Sequence, residues 1–212
     1  MSVNLQKGQK IDLTKDNAGL RRVMVGLGWD EVQRNQTQGR LGGFLGIGKV
    51  DDIDCDAIAF LLDKNGKIAD IKDLVYFNNL RHISDCVIHQ GDNLTGAGDG
   101  DDEQIMIDLY RLPAQYDRIV ILVSIYEAFK RNQHFGMIQN AFIRIVDADT
   151  NQELCIYNLS DNYQGMTAMV FGEVYRYNGE WRFNAIGQPL QICSVKQLSE
   201  QFGLPPTAWK NR

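Results

Sequence analysis

The chain of 212 residues is 44% hydrophobic and 23% charged, with a formal net charge of −5. These proportions are typical of a folded globular protein, and they exclude a disordered, collagen-like or coiled-coil chain. The acidic balance argues against a nucleic-acid-binding protein, and no apolar run reaches the roughly 18 residues of a membrane-spanning helix.

Most of the chain is predicted to form short strands. One run alternates clearly, because Ile105 and Ile107 face one side while Gln104 and Met106 face the other. The run 118–126 is apolar almost throughout and predicts a central strand buried on both faces. The predicted strands, in chain order, are 22–29, 55–62, 67–71, 85–90, 103–109, 118–126, 141–147, 153–158, 167–177 and 180–185.

The segments between these strands carry turn and cap residues. Asn65-Gly66 and Asn178-Gly179 predict hairpin turns, since both central residues of a type I′ turn need positive φ. The Gln- and Gly-rich segment 33–49 predicts a flexible surface loop. Ser194 is the predicted N-cap of a short helix over 195–202. Regularly spaced strands with little helix predict an all-β fold, an antiparallel β-sandwich with a few short helices.

The cysteines and histidines show no pattern of a zinc or redox site. The four cysteines are widely spaced and are predicted to be reduced, structural thiols in a cytosolic protein. The three histidines lack zinc-ligand spacing. No nucleophile stands beside a general acid–base pair, so we predict a protein that is not an enzyme. These residues are Cys55, Cys86, Cys155, Cys193, His82, His89 and His134.

Acidic residues are concentrated in the segment 91–103. A loop this acidic is repulsive unless water or a cation screens its charges. It combines carboxylates and an amide oxygen with Gly96, Gly98 and Gly100, which let backbone carbonyls converge. This composition favours Ca²⁺ over zinc or copper. The segment 92–103 has EF-hand length, but Leu94 and Ala97 stand where that motif needs an oxygen ligand and a glycine. A solvated acidic loop with Asx turns stays open as the alternative.

A second acidic cluster precedes the predicted strand 55–62. Asp54 and Asp56 are two residues apart and therefore face one side of that strand. Asp56 would be costly to bury unpaired, and a cation shared with the segment 91–103 would resolve the problem. Asn78 and Asn79 follow another apolar run and could add neutral oxygen ligands.

An ordered set of motifs over residues 1 to 190 resembles the TerD family of tellurium-resistance and general stress proteins. The longer Gly-rich segment after Trp29 is similar to the TerZ-like branch. The motifs are Leu5-x-Lys7-Gly8, Gly26-Leu27-Gly28-Trp29-Asp30, Asp54-x-Asp56-Ala57, Phe77-Asn78-Asn79-Leu80, the acidic segment 91–103, Gln133-x-Phe135-Gly136, Asn140-Ala141-Phe142-Ile143 and Gly179-Glu180-Trp181.

The resemblance implies a bacterial, cytoplasmic, calcium-binding β-sandwich that acts in stress response and tellurite resistance. It implies a TerD-type domain over 1–190, followed by a short helix and tail over 191–212. Two bound Ca²⁺ ions are expected. The implied metal ligands are Asp54, Asp56, Asn78, Asn79, Asp92, Asn93, Thr95, Gly98, Asp99, Asp101, Asp102 and Glu103. The chain departs from the family pattern at Tyr126, where a histidine is usual.

Three functions are compatible with these features. The first is a non-catalytic Ca²⁺-binding stress-response module, whose cation orders the acidic loops, stabilises the fold and forms a partner surface. The resemblance implies partners among other tellurium-resistance proteins, a membrane-integral one being a candidate. The second is a Ca²⁺-dependent membrane-surface or scaffold module, with Phe44 and Leu45 as the apolar contact. The third, a metal-dependent enzyme, lacks a cofactor motif.

Overall fold

Two six-stranded sheets form the protein in the computed structural model, which describes residues 2–32, 53–92, 100–159, 161, 163–192 and 194–210. The first sheet has the strand order β1-β10-β9-β3-β7-β6, and the second has the order β2-β12-β11-β8-β4-β5. All pairings are antiparallel except that of β1 with β10. The predicted antiparallel β-sandwich is therefore confirmed.

The strands follow the alternating or continuous apolar runs of the sequence. Their bounds are β1 Val3–Leu5, β2 Lys10–Asp12, β3 Arg22–Glu31, β4 Cys55–Leu62, β5 Leu74–Val75, β6 Val87–Asp92, β7 Glu103–Asp108, β8 Arg118–Ile125, β9 Ile138–Asp147, β10 Gln152–Asn158, β11 Ala168–Tyr177 and β12 Glu180–Leu190. Two α-helices are present in the described residues, α1 Ala128–Arg131 and α2 Val195–Gln201, with short 3₁₀ turns at Ile71–Asp73, Phe135–Met137 and Pro206–Trp209.

The main core lies between the two sheets. Alternation along β7 places Ile105 and Ile107 in this core, while Gln104 and Met106 face outward. The central strand β8 is buried on both faces, as predicted from its continuous apolar run. Its residue Ile121 faces the main core.

A second apolar cluster covers the outer face of the second sheet. Val120 and Leu122 of β8 pack there with Ile192, Leu198 and Leu204 from the C-terminal segment. The helix α2 begins where Ser194 caps it, because the Ser194 hydroxyl accepts a hydrogen bond from the Gln197 N–H at 3.2 Å. The predicted helix and its cap are confirmed, while the domain boundary at residue 190 stays a prediction.

The predicted return strand over 67–71 is wrong. Asp63 forms an Asx-type turn, in which its carboxylate accepts hydrogen bonds from the backbone N–H groups of Asn65 and Lys67. Only Gly66 of the Asn65-Gly66 pair has positive φ, so the type I′ hairpin does not form. The chain then enters a 3₁₀ turn at Ile71–Asp73, and β5 pairs with β4 in place of the predicted strand.

The second predicted hairpin is confirmed. Asn178 and Gly179 both have positive φ, 50° and 83°, and they join β11 to β12. The segment 33–49, which was predicted to be a flexible loop, lies outside the described residues.

Replacement of Gly179 by alanine is expected to lower the free energy of unfolding by about 1–2 kcal/mol, because an L side chain is disfavoured at positive φ. A Cβ at this position would meet no atom within 4 Å, so the effect would come from the backbone alone. Urea unfolding measures it. Gly100→Ala is the matched control, since Gly100 has open space and no positive φ. Equal losses in the two variants would contradict the assignment of the turn.

Candidate metal centre

Glu103 is the first residue of β7 and lies at one end of the sandwich. It faces the same side as Ile105 and Ile107, so its side chain points between the two sheets and is only 4% exposed. Its neighbours in the first sheet are Leu27 of β3 and Asp92 of β6. A carboxylate is thus buried at the C-terminal boundary of the acidic segment.

The Glu103 carboxylate bridges the two sheets. It accepts a hydrogen bond from the backbone N–H of Ala57 in β4. That N–H lies beyond the part of β4 that β5 covers, since β5 pairs only with Ala59 and Phe60. Glu103 therefore satisfies a buried backbone donor that would otherwise lack a strand partner.

His89 lies beside this carboxylate in β6. Its Nε2 is 3.6 Å from Oε2 of Glu103, and the ring is buried. Its Nδ1 accepts a hydrogen bond from the backbone N–H of Gly91 at 3.1 Å. In the neutral ring the proton consequently resides on Nε2, the nitrogen that faces Glu103. His89 lies in the predicted strand 85–90 and is not among the predicted metal ligands.

One cavity of about 420 Å³ brings together three of the predicted ligands. Asp54, Asp56 and Glu103 line it, together with His89 and the aromatic rings of Phe77 and Tyr126. No lysine or arginine is found among its described lining residues. Among the residues that the structure describes, the lining of this cavity is therefore acidic and has no basic side chain to balance it.

The pKa of the Cys55 thiol reflects the negative charge at this end of the sandwich. Burial raises its pKa well above the usual value, and the charges of Glu103, Asp56 and Asp54 raise it further. Each carboxylate disfavours the thiolate because like charges repel across a medium of low dielectric constant. The same negative potential favours a bound cation.

Asp101 lies elsewhere, on the outer face of the first sheet. Arg144 of β9 holds it with two hydrogen bonds, Nε to Oδ1 at 2.7 Å and Nη2 to Oδ2 at 3.0 Å. Gln104 donates a third hydrogen bond to Oδ2 at 3.0 Å. The Asp101 side chain is fully buried and its charge is already balanced. Sequence reasoning missed Arg144, whose only signal was a single basic residue within an apolar alternating strand.

Asp102 and Asn79 already have hydrogen-bond partners, and Asn78 lines a different cavity. Asp102 accepts a hydrogen bond from the Trp29 N–H at 2.7 Å, and burial raises the pKa of its carboxyl group. The Asn79 side-chain amide donates to the Leu74 carbonyl at 2.5 Å. Asn78 is exposed and lines a neighbouring cavity that also contacts Asp56.

Five of the predicted ligands cannot be placed. Asn93, Thr95, Gly98 and Asp99 lie outside the described residues, and Asp92 is described only as a residue of β6. Within the described part of the chain, no three His, Cys, Asp or Glu side chains are grouped closely enough to hold a metal ion. The complete set of twelve ligands stays a prediction.

The family assignment rests on a match over nearly the whole chain. A family model for the TerD domain matches residues 1–202. The chain belongs to the TerD family. Its described residues contain no helix that is long and apolar enough to cross a membrane.

Relatives of this TerD-family chain carry stress and tellurium-resistance names. It is 52% identical over 205 residues to "Stress response protein SCP2" of Bacillus subtilis strain 168, covering 95% of this chain and 100% of that protein. It is 44% identical to "Tellurium resistance protein TerD" of Serratia marcescens, covering 96% of this chain and 98% of that protein. It is 41% identical to TerZ of the same organism, covering 92% and 94%. The TerZ-like branch stays a prediction.

A solved structure shares the fold. The crystal structure of a homologue of telluride resistance protein TerD from Streptomyces coelicolor A3(2) superposes with a TM-score of 0.61 and 22% identity. The superposition covers 88% of this chain and 100% of that one.

The glycines of the TerD-like motif 26–30 have a steric role. A Cβ at Gly26 would overlap the carboxylate of Asp101, and one at Gly28 would overlap the ring of Phe142. Glycine at these positions therefore lets the acidic segment and β9 approach the backbone of β3 closely.

Proposed function

We propose that this protein is a non-catalytic Ca²⁺-binding stress-response protein of the TerD family. The cation would order the acidic loops, stabilise the fold and form a surface for a partner. The observation that carries the proposal is the single cavity lined by Asp54, Asp56 and Glu103. Location in the cytoplasm and partners among other tellurium-resistance proteins are carried over from the family resemblance.

The donor chemistry of this cavity fits a hard divalent cation. Carboxylate oxygens are the ligands that Ca²⁺ prefers, and it needs six to eight oxygens in total. Asp54, Asp56 and Glu103 line the cavity without lying close enough together to hold one ion. They would hold it only after their side chains move closer to one another, with further oxygens from the segment 92–99 and from water. The neutral His89 beside Glu103 would orient that carboxylate. When bound, Ca²⁺ supplies positive charge that offsets the repulsion among the carboxylates.

Asp101 and Asp102 are less well placed for this role. Both Asp101 oxygens already accept hydrogen bonds from Arg144, and one Asp102 oxygen accepts from Trp29. We infer that these two residues mainly anchor the end of the acidic segment to β3 and β9. A second Ca²⁺ ion, if bound, would depend on the residues of the segment 92–99.

Two of the four cysteines, Cys55 and Cys155, are poorly suited to redox chemistry. Burial raises the pKa of Cys155 to about 12 and that of Cys55 well above its usual value. Both are buried and form no disulfide bond. Thiolate is the nucleophilic form, so neither residue is suited to reduce a tellurium oxyanion.

Calcium is expected to stabilise the folded protein. A ligand that binds only the folded state adds about 2.7 kcal/mol at one hundred times its Kd. Thermal unfolding in EGTA and in excess Ca²⁺ measures this shift, and calorimetric titration with competing Mg²⁺ measures affinity and selectivity. We expect the shift to disappear in Asp56→Asn and Glu103→Gln. The glutamine carbonyl can still accept the hydrogen bond from Ala57, so the fold is retained.

Asp149→Asn is the matched control for these variants. It removes one negative charge near the start of β3, where Asp149 pairs with Arg22, and away from the cavity. The calcium shift should persist in this variant. A wild-type protein that shows no shift, or an unchanged shift in both cavity variants, would contradict the proposal.

A further inference from the structure

Three polar side chains outside the candidate metal centre form a hydrogen-bonded chain. The Ser84 hydroxyl oxygen is 2.7 Å from Nδ1 of His82, and Nε2 of His82 is 3.4 Å from Oδ1 of Asp73. His82 and Asp73 are buried, whereas Ser84 is partly exposed. The chain therefore runs from a buried carboxylate, through an imidazole, to a hydroxyl at the surface.

The hydrogen bonds around His82 define which of its nitrogens carries the proton. The backbone N–H of Ser84 donates to Nδ1 of His82 at 3.1 Å. A ring nitrogen that accepts a hydrogen bond carries no proton, so the ring is neutral and its proton is on Nε2, facing Asp73. The Ser84 hydroxyl must then also donate to Nδ1. This is the protonation state in which an imidazole can act as a base toward a hydroxyl group.

Asp73 is held in place by two further donors. The Tyr116 hydroxyl donates to Oδ1 at 2.7 Å, and the Asp70 backbone N–H donates to Oδ2 at 3.0 Å. The Tyr116 ring also meets the His82 ring edge to face, with their centroids 5.1 Å apart. These contacts orient the carboxylate and the imidazole. A positive charge that formed on His82 would be stabilised by the carboxylate beside it.

Ser84 lies in a turn at the surface. The Asp85 N–H donates to the His82 carbonyl at 2.9 Å and closes this turn, and the preceding residue Ile83 is 74% exposed. A hydroxyl oxygen has two lone pairs, and the Cys86 N–H at 3.3 Å occupies one of those on Ser84. The other can attack an electrophile that approaches from solvent.

We propose that Ser84 is an activated nucleophile that accepts an acyl group from an activated ester, with His82 as its base and Asp73 positioning His82. The Ser84 oxygen bonds to the carbonyl carbon, and the bond from that carbon to the leaving group breaks. The hydroxyl proton passes to Nδ1 of His82 and then to the leaving group. A nucleophile beside a base that a third group orients is the arrangement of activated serines.

The expected product is an acylated protein, without rapid turnover. Stabilisation of an oxyanion needs backbone N–H groups that are free to donate to it. The Asp85 N–H, which directly follows Ser84, already donates within the turn. Acylation of Ser84 is therefore a covalent modification of this protein. It goes beyond the calcium proposal, does not depend on it and is compatible with a non-catalytic role.

p-Nitrophenyl acetate is the probe, and peptide mass spectrometry locates and counts the acetyl groups on the full chain. Ser194 is the internal control, because it is exposed and its hydroxyl oxygen accepts a hydrogen bond from the Gln197 N–H as the cap of α2. A general base accelerates such a step by about 10²- to 10⁴-fold, so Ser84 should be acetylated at least about a hundredfold faster than Ser194. The reaction at Ser84 should also be slower in heavy water, because the attack transfers a proton.

Variants separate the roles of the three groups. Ser84→Ala should remove the fast acetylation, and His82→Gln should reduce the rate at Ser84 to that at Ser194. Asp73→Asn should slow the reaction less and retain the effect of heavy water, since His82 remains as the base. His134→Gln is the matched control, because His134 lies elsewhere, beside Gln164.

Circular dichroism checks that each variant is folded. The proposal is overturned if Ser84 in the wild type reacts no faster than Ser194, which is the result expected of a hydrogen bond that only shapes the turn. It is also overturned if a folded His82→Gln variant is acetylated at Ser84 as fast as the wild type. The comparison of the two serines and the effect of heavy water need no variant, so a misfolded variant leaves the test intact.

Discussion

Replacement of Arg144 by methionine is expected to lower the free energy of unfolding by about 2–4 kcal/mol. Removal of one partner from a fully buried ion pair costs about 3–5 kcal/mol, and the 30% exposure of Arg144 reduces that figure. The Asp101 carboxylate would remain fully buried, with only the Gln104 amide as a described hydrogen-bond donor. Methionine retains the apolar stem, so the loss reflects the charge and its hydrogen bonds.

A double variant separates this effect from loss of packing. Asp101→Asn combined with Arg144→Met removes the uncompensated charge and should recover much of the stability lost in Arg144→Met. Arg22→Ala is the surface control, since Arg22 and Asp149 are 52% and 39% exposed and exposed pairs contribute little. Urea unfolding measures all four proteins. If the double variant were no more stable than Arg144→Met, the buried charge would not be the cause.

Replacement of Asp73 by alanine is expected to lower the free energy of unfolding by about 3 kcal/mol. Asp73 is 4% exposed and accepts hydrogen bonds from the Tyr116 hydroxyl at 2.7 Å and the Asp70 N–H at 3.0 Å. His82 Nε2 lies 3.4 Å away. Loss of the carboxylate leaves these buried donors unsatisfied, and hydrogen bonds to charged groups contribute about 1.5–3 kcal/mol each.

The same carboxylate gives stability a defined pH dependence. Burial alone would raise the pKa of Asp73, but the hydrogen bonds from His82, Tyr116 and Asp70 outweigh burial and lower it. The folded protein then binds this proton less tightly than the unfolded chain. The stabilisation by the Asp73 carboxylate is complete above its pKa of about 4 in the unfolded chain. It is lost as the pH falls through the lower pKa of Asp73 in the folded protein.

Urea unfolding between pH 3 and 7 tests this dependence. Asp73→Asn should flatten the loss of stability below about pH 4 relative to the wild type. Asp85→Asn is the control and should leave the acidic limb unchanged, because Asp85 is 60% exposed and pairs with Arg81 at the surface. If the free energy of unfolding fell equally below about pH 4 in the wild type and in Asp73→Asn, Asp73 would not titrate as described.

Much of the fold was predictable because alternation and hairpin turns are local. The pattern from Gln104 to Ile107 fixed both the strand β7 and its buried face. The strands β1, β2 and β5 were missed because they have only two or three residues, and the pairing partners of β1 and β2 are also distant in the sequence. The wrong strand over 67–71 has a different and local cause, since the Asp63 side chain accepts hydrogen bonds from the Asn65 and Lys67 backbone and so favours a turn.

The site was predictable in its chemistry and less so in its geometry. Sequence reasoning treated Asp101, Asp102 and Glu103 as one set, but they face different partners. Glu103 lies inside β7 and points between the sheets, whereas Asp101 precedes the strand and reaches Arg144 on the outer face. That pairing spans 43 residues and leaves no local pattern.

The pairing of the earliest strands with late ones has a consequence for folding. β1 is completed by β10, and β2 by β12, which ends at Leu190. The apolar cover of the second sheet also needs residues up to Leu204. During synthesis on the ribosome, β1 and β2 therefore cannot pair with their partner strands until most of the chain has emerged. Such high contact order predicts slow, largely post-translational folding, with sheet edges open to chaperones until the last strands arrive.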